Sequence, residues 1–232
     1  AHLAAGSHVD RSITYPLEFV MDNVVGTAHI LDFARKLDNL ERFAYFSTDE
    51  VFGPAPAGIN YKENDRYNST NPYSASKAGG EELVVAFENT YGLPAIITHT
   101  MNVFGERQNI EKYIPMVIKK VRDNQKVTVH SDTTKVIPGS RHYIHAKDVA
   151  SALLFLSNFD ISTFQPDITG AKCQKFNIVG KDEINNVAFA VSATLESIQK
   201  SIEWGADALI VHHGLIWKFH GARAVKGPQL LA

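Results

Sequence analysis

An alternation of strand-like and helix-like segments most constrains what this chain can fold into. Arg42-Phe43-Ala44-Tyr45-Phe46-Ser47 is a short apolar run that reads as a buried strand and ends in the polar Thr48-Asp49-Glu50. Pro72 stands where a helix would begin, residues 73–91 read as that helix, and Gly92 is its stop. Ala95-Ile96-Ile97-Thr98 is a second strand, which Val103-Phe104-Gly105 closes. Strand, helix, strand in this order demands a parallel sheet with helices on its faces. The rest of the chain agrees. Residues 16–37 carry Leu17, Phe19, Val20, Val24, Ile30, Leu31 and Phe33 at helical spacing. Residues 111–121 are an amphipathic helix, 126–130 a short strand, 141–144 extended, 148–156 helical and 175–178 a further strand.

Composition narrows the function classes. Lys and Arg number 23 against 25 Asp and Glu, a net charge of -2, which argues against a general nucleic-acid binder or a polybasic membrane-surface protein. A single cysteine, Cys173, allows neither an internal disulfide nor a cysteine-based zinc site. No apolar run approaches the roughly 18–20 residues of a membrane span, and the start lacks the pattern of a signal peptide. The expectation is a soluble protein of a reducing compartment, the cytoplasm.

Active residues of such a sheet sit beyond the carboxyl ends of its strands, where Thr48-Asp49-Glu50 and Asn102 fall. The loop over residues 53–71 is long enough to suspect a role there. Tyr73 and Lys77 form Tyr-x-x-x-Lys, which places both side chains on one helix face, one turn apart. A phenol is a poor base at neutral pH, but a neighbouring ammonium favours its ionised form. Together they could deprotonate a substrate hydroxyl, with Thr48 supplying a further hydroxyl. By spacing alone a solvated helix face explains Tyr-x-x-x-Lys better, because the pattern arises by chance in many helices.

Three runs in order sharpen the reading: His2-Leu3-Ala4-Ala5-Gly6-Ser7-His8-Val9-Asp10-Arg11-Ser12, Phe46-Ser47-Thr48-Asp49-Glu50-Val51-Phe52-Gly53 and Asn71-Pro72-Tyr73-Ser74-Ala75-Ser76-Lys77. They resemble the extended short-chain dehydrogenase/reductase superfamily, and within it the nucleotide-sugar 4,6-dehydratases, typified by dTDP-glucose 4,6-dehydratase, over residues 1–190. The resemblance implies a lyase that uses NAD as an internal hydride carrier. Tyr73, with Thr48 and Lys77, would take the proton of the sugar C4 hydroxyl. Glu50 would remove the C5 proton as base, and Asp49 would protonate the departing C6 hydroxyl as acid. Adjacent carboxyls suit such work because proximity lets the pair hold one proton. The Thr-Asp-Glu run separates the dehydratases from their epimerase relatives, which usually lack the acid pair.

The same resemblance implies cofactor contacts at Leu3, Ala4, Ala5, Tyr73, Lys77 and Asn102, and nucleotide-sugar contacts at Ser7, His8, Asn102, Glu111, Lys112, Arg141 and Asn177. A guanidinium such as Arg141 matches diphosphate oxygens well. The family usually has Glu where Gly6 stands. Relatives commonly pair as homodimers through two helices, here residues 16–37 and 73–91.

Two departures from the pattern carry expectations of their own. The family opens with a strand and Gly-x-x-Gly-x-x-Gly for the cofactor pyrophosphate, and this sequence contains no such run. The expected fold is therefore α/β, an incomplete Rossmann-like doubly wound parallel sheet with a smaller substrate-binding subdomain. Residues 1–190 form that domain with interleaved substrate-binding segments, and 191–232 are a separate segment; this chain by itself is expected to bind NAD weakly. After about residue 191 the pattern changes. Residues 193–205 read as an amphipathic helix and 208–211 as a strand ending in His212-His213-Gly214, a run that with Trp217-Lys218 resembles the GTP cyclohydrolase 1 type 2 homologue family. That resemblance implies a divalent metal at His212 and His213, although a stable site needs three or four donors. Two other readings stay open beside the dehydratase: a metal-binding protein defined by its tail, and an epimerase or dehydratase remnant without catalysis.

Overall fold

The computed structural model describes residues 1–56, 59–129, 131, 134, 136, 139, 141–160, 173–180, 187–192, 195–204 and 208–213. They divide into two compact units: residues 1–103 with 144–179, and residues 104–143 with 180–232.

In the first unit β1 (Phe43–Thr48), β2 (Ala95–Thr100) and β5 (Gln174–Ile178) form a parallel sheet in the order β1-β2-β5. Its register sets Thr48 opposite Thr100, and Thr100 opposite Ile178, so their carboxyl ends lie level. The chain start extends this sheet. His2 bridges Tyr45 in parallel, its N–H donating to the Ala44 carbonyl at 2.8 Å while Phe46 N–H donates back to the His2 carbonyl at 3.1 Å.

Alternation along the strands builds two cores. Phe43, Tyr45, Ala95 and Ile97 point to one face with Leu31, Ala34, Val84 and Leu93. Ala44, Ile96 and Ile178 point to the other with Ile144, Val149 and Leu156. Each fully buried side chain of this kind contributes about 1.5–3 kcal/mol. Helices α3 (Gly26–Ala34) and α4 (Pro72–Tyr91) supply the first core, and α6 (Ala146–Asn158) the second. Arg42 fixes the end of α6 by donating to the carbonyls of Leu156, Ser157 and Phe159, the last at 2.9 Å. Helices cover both sheet faces, as the Rossmann-like expectation requires.

Helix α4 begins with a capping box: Asn71 Oδ1 accepts the Ser74 N–H at 2.8 Å, and Ser74 Oγ in turn accepts the Asn71 N–H. It ends at Gly92, whose φ of 70° an L side chain rarely adopts. Its buried stripe is small or polar: Ser74, Ser76, Lys77, Gly80, Glu81 and Val84. Gly80 is required by close approach, because a Cβ there would stand 2.1 Å from the Tyr45 hydroxyl and 2.9 Å from the Asn23 carbonyl.

Residues 16–37 are less regular than their spacing suggests. The helix runs as α2 (Pro16–Val20), a π-helical turn at Met21–Val25, and α3; a short α1 (Val9–Thr14) precedes it. The π-turn holds Asn23, only 1% exposed, whose amide accepts from Gly6 N–H at 2.8 Å and donates to Ser76 Oγ at 2.8 Å. Two short strands, β3 (Asn102–Phe104) and β4 (Tyr143–His145), form a separate sheet.

The second unit contains α5 (Tyr113–Arg122), which buries Val117. Residues 126–129 are not a strand, contrary to expectation: Val127 and Val129 alternate suitably but pair with no neighbour among the described residues, and His130 lies outside them. β6 (Val187–Ser192) and β7 (Ala208–His213) pair in parallel, with α7 (Leu195–Glu203) between them in sequence. β6 had no counterpart in the sequence reading.

Candidate active site

Three consecutive residues at the carboxyl end of β1 grip three successive turns of α4. The Thr48 hydroxyl faces the Tyr73 phenol closely enough to pull its pKa down. One turn on, Lys77 Nζ donates to the Phe46 carbonyl at 2.7 Å. A further turn on, Ser47 Oγ donates to Glu81 Oε1. Tyr73 is also fixed from outside: its N–H donates to Ser12 Oγ at 3.1 Å, and its ring meets Phe19 edge-on at 6.4 Å.

Electrostatics differ from the expectation at Tyr73. Burial pushes its phenol up, the Thr48 hydroxyl pulls it partly back, and the Glu50 and Asp49 carboxylates push it further up. The Lys77 ammonium does not relieve this, because its close contacts are the Phe46 carbonyl and the Tyr45 ring 4.3 Å away. Lys77 itself is 3% exposed, and burial lowers it to about 8 against the opposing pull of Glu81.

The acid pair sits in a 3-10 turn, Asp49–Phe52, directly after β1. Thr48 Oγ1 caps this turn by accepting the Glu50 N–H at 3.3 Å, and it lies 3.3 Å from Asp49 Oδ1. Asn71, the cap of α4, donates from Nδ2 to Glu50 Oε2 at 3.1 Å. The start of α4 therefore holds Glu50 as well as Tyr73. Asp49 and Glu50 are half-buried, while Thr48 is buried.

Of the other expected site residues, Leu3, Ala4, Ala5 and Ser7 are exposed on the segment that follows the His2 bridge. His8 caps α1. Asn23 bonds both backbone groups of Gly6, so the position where the family has Glu is held without a side chain. Asn102 is half-buried in β3. Asn177 turns inward: its Oδ1 lies 3.2 Å from His99 Nδ1, and its Nδ2 donates to the Tyr61 carbonyl at 3.3 Å. Glu111, Lys112 and Arg141 belong to the second unit; Glu111 and Arg141 are exposed, and Arg141 acts on Tyr143 electrostatically. His212 and His213 end β7, where His213 pairs with Ser192. Among the described residues no group of three or more His, Cys, Asp or Glu could hold a metal ion.

Sequence reasoning missed a buried polar network beneath this site. Glu81 is wholly buried and takes hydrogen bonds from Ser47 and Tyr67, with His99 Nε2 3.0 Å away. Lys175 Nζ donates to the Tyr67 hydroxyl at 2.6 Å. The carboxylate stands between serine and imidazole, so this is no nucleophilic triad, which needs the imidazole in the middle.

A parallel sheet covered by helices on both faces, with a Tyr–Lys pair and a threonine at one strand end, places the chain in the Rossmann-like class of α/β folds. The chain belongs to the NAD dependent epimerase/dehydratase family, which it matches over residues 1–166. Residues 174–230 match a second family, Duf34/NIF3 (NGG1p interacting factor 3). The chain is 37% identical over 199 residues to dTDP-D-glucose 4,6-dehydratase of Dictyostelium discoideum, covering 82% of this chain and 42% of that one. It is 42% identical over 208 residues to a low-salt glycan biosynthesis protein of Haloferax volcanii, covering 90% and 60%. Among solved structures it resembles a dTDP-glucose 4,6-dehydratase of Streptomyces venezuelae with NAD and TYD bound, at a TM-score of 0.68 and 29% identity, covering 90% of this chain and 59% of that one. The chain thus spans about half the length of the curated relatives it matches. No helix among the described residues is long and apolar enough to cross a membrane.

Proposed function

We propose that residues 1–190 carry the reacting centre of a nucleotide-sugar 4,6-dehydratase that takes a dTDP-hexose. The observation that supports this most is the grouping of Thr48, Tyr73 and Lys77 where β1 meets α4, with Asp49 bonded to Thr48 and Glu50 tied to the same helix start. An epimerase would need the first three and not the pair.

The residues suit the reacting end of NAD. Thr100, level with Thr48 in the sheet, has a buried hydroxyl with no hydrogen-bond partner among the described residues, and Lys77 spends one of its donors on the Phe46 carbonyl. Tyr73, Lys77 and Thr100 would hold that end, with Leu3, Ala4, Ala5 and Asn102 beside it. When bound, NAD+ would supply a positive ring charge and a hydride carrier, accepting from C4 and, once reduced, donating to C6, so that the net change is loss of one water. That charge favours the ionised Tyr73 phenol, which burial opposes. Tyr73 then takes the C4 hydroxyl proton, and Thr48 orients that hydroxyl. A ketone at C4 acidifies the C5 proton, which Glu50 removes. Asp49 gives its proton to the departing C6 hydroxyl, and water leaves. Ser7, His8, Asn102, Glu111, Lys112, Arg141 and Asn177 are assigned to holding the nucleotide-sugar.

The sequence contains no Gly-x-x-Gly-x-x-Gly, so these residues offer NAD contacts at its reacting end and not at its pyrophosphate. Affinity of this chain for NAD+ should be weak; a micromolar dissociation constant by calorimetry would overturn that expectation. The function itself is tested by mass spectrometry of dTDP-glucose incubated with the protein and excess NAD+. Loss of one water is expected, with Tyr73→Phe and Glu50→Gln each slower by about 10²–10⁴-fold. Equal turnover in either variant would reject the assignment.

Pairing of two copies through α2–α3 and α4 is supported by the exposed Leu17, Met21, Phe33 and Tyr91, and sedimentation tests it. For the tail, the second family match covers His212 and His213 but carries no metal reading of its own. Two imidazoles fall short of the three or four donors a stable site requires, so no metal step is assigned. Elemental analysis of the pure protein decides: a stoichiometric transition metal would restore that reading.

A further inference from the structure

Glu81 lies one turn beyond Lys77 and two beyond Tyr73, on the same buried stripe of α4. It is 0% exposed, a rare position for a carboxylate unless it is paired. Its partners come from three directions: Ser47 on β1, Tyr67 in the loop after the acid pair, and His99 on β2. His99 is braced on its other side by Asn177 of β5, and Tyr67 by Lys175 of the same strand. Every strand of the sheet therefore contributes to holding one carboxylate.

We propose that Glu81 is a positioning residue for the Tyr73–Lys77 pair: it pins α4 on β1 one turn below Lys77 and supplies the fixed counter-charge that keeps the Lys77 ammonium protonated where it donates to Phe46. The register argues for this. Ser47 holds Glu81 while its neighbours Phe46 and Thr48 hold Lys77 and Tyr73, so a slip of α4 would break all three contacts together. Charge argues for it as well. Burial would raise the Glu81 carboxyl, but the hydrogen bonds and charge of His99, with Ser47 and Tyr67, outweigh it and hold it below its ordinary value. Glu81 is in turn the group that opposes the loss of the proton from buried Lys77. The other groups facing these two are Tyr45, whose ring lies under the ammonium, His2, which feels the Lys77 charge, and Cys173, raised by burial with some contribution from Glu81. None of them offers Lys77 a second anion.

The inference rests on the proposed role of Tyr73 and Lys77, but its test does not require turnover. The full chain is labelled with 15N-lysine, the Lys77 side-chain signal is assigned by its loss in Lys77→Met, and it is titrated in wild type, Glu81→Gln and Glu81→Asp. Wild-type Lys77 is expected to titrate near about 8. In Glu81→Gln the midpoint should fall by about one unit or more, the order expected when a unit charge one helix turn away is removed at an effective dielectric near 20. Glu81→Asp keeps the charge and should stay within a few tenths of wild type. If Glu81→Gln does not fold, the double variant Glu81→Gln/His99→Asn replaces both partners by amides that can still bond each other, and the same fall is expected. A Lys77 midpoint that is the same in the neutral variants as in wild type would overturn the proposal. So would an equal fall in Gln and Asp, because a merely structural carboxylate would treat the two alike. Where the protein also dehydrates dTDP-glucose, the alkaline limb of its pH profile should move down with the Lys77 midpoint. Absence of turnover alongside the expected titration would reject the dehydratase reading and leave the role of Glu81 standing.

Discussion

Replacing Lys77 by methionine should remove a defined part of the pH dependence of stability. The folded protein holds the Lys77 proton to about pH 8, whereas the unfolded chain holds it to 10.5. Between those values the unfolded state binds more protons, so stability rises with pH through the window and levels off above it. A buried ammonium with these two values contributes about 2 kcal/mol of added stability between about pH 7 and about pH 9.5. Above about pH 10 the raised phenols of Tyr45, Tyr67 and Tyr73 reverse the trend, because the unfolded chain then loses protons that the folded one keeps. Buried Cys173 acts in the same direction from its ordinary value of 9.0, but it is common to both proteins and cancels in their difference. The assay is urea unfolding of wild type and Lys77→Met at the two pH values. Wild type should gain about 2 kcal/mol more than the variant between them. At the lower pH the variant should be as stable as wild type or more so, since methionine fills a similar length without a charge to bury. Identical pH dependence in the two proteins would show that Lys77 is not the buried cation described, and would undercut its pairing with both Tyr73 and Glu81.

Gly80→Ala should destabilise by about 1–3 kcal/mol or more, because the added Cβ meets the Tyr45 hydroxyl and the Asn23 carbonyl; denaturant unfolding reads this, and a neutral result would deny the close approach of α4 to the π-turn. His2 is lowered by burial, with Lys77 adding to the effect, so the folded state disfavours the proton that the unfolded chain takes up below 6.5. Stability should therefore fall as pH drops below that value, and His2→Asn should flatten this acid limb in thermal unfolding scans.

What the sequence made legible follows from how local each signal was. The Tyr73–Lys77 spacing, the polar end of β1 after Ser47 and the Pro72 and Gly92 limits of α4 are set within a few residues, and all were readable. The boundaries of β2 and α6 moved by two residues at their ends, because the last turns and pairings are decided by neighbours. Glu81 was overlooked although it continues the 73–77–81 stripe: a charged residue on a helix is ordinarily solvated, and only contacts from Ser47, Tyr67 and His99 make it a core residue. His99 had the reverse disguise: it stands between Thr98 and Thr100 at the polar end of β2, beyond the apolar run that marked the strand. The π-turn at Met21–Val25 escaped a search for a period of 3.6 because it departs from that period. β6 escaped because its partner β7 lies across α7, in a segment whose pattern belongs to a second family.

The most direct measurement on the acid pair needs no hydride transfer at all. The protein is incubated in deuterated water with dTDP-4-keto-6-deoxyglucose, and deuterium at C5 is followed by proton NMR. If Glu50 is the base held by Asn71 beside Thr48 and Tyr73, wild type should incorporate deuterium at C5 and Glu50→Gln should do so slower by about 10²–10⁴-fold. Exchange at the same rate in both proteins, or none in wild type while the nucleotide-sugar is bound, would contradict a dehydratase centre at this strand end.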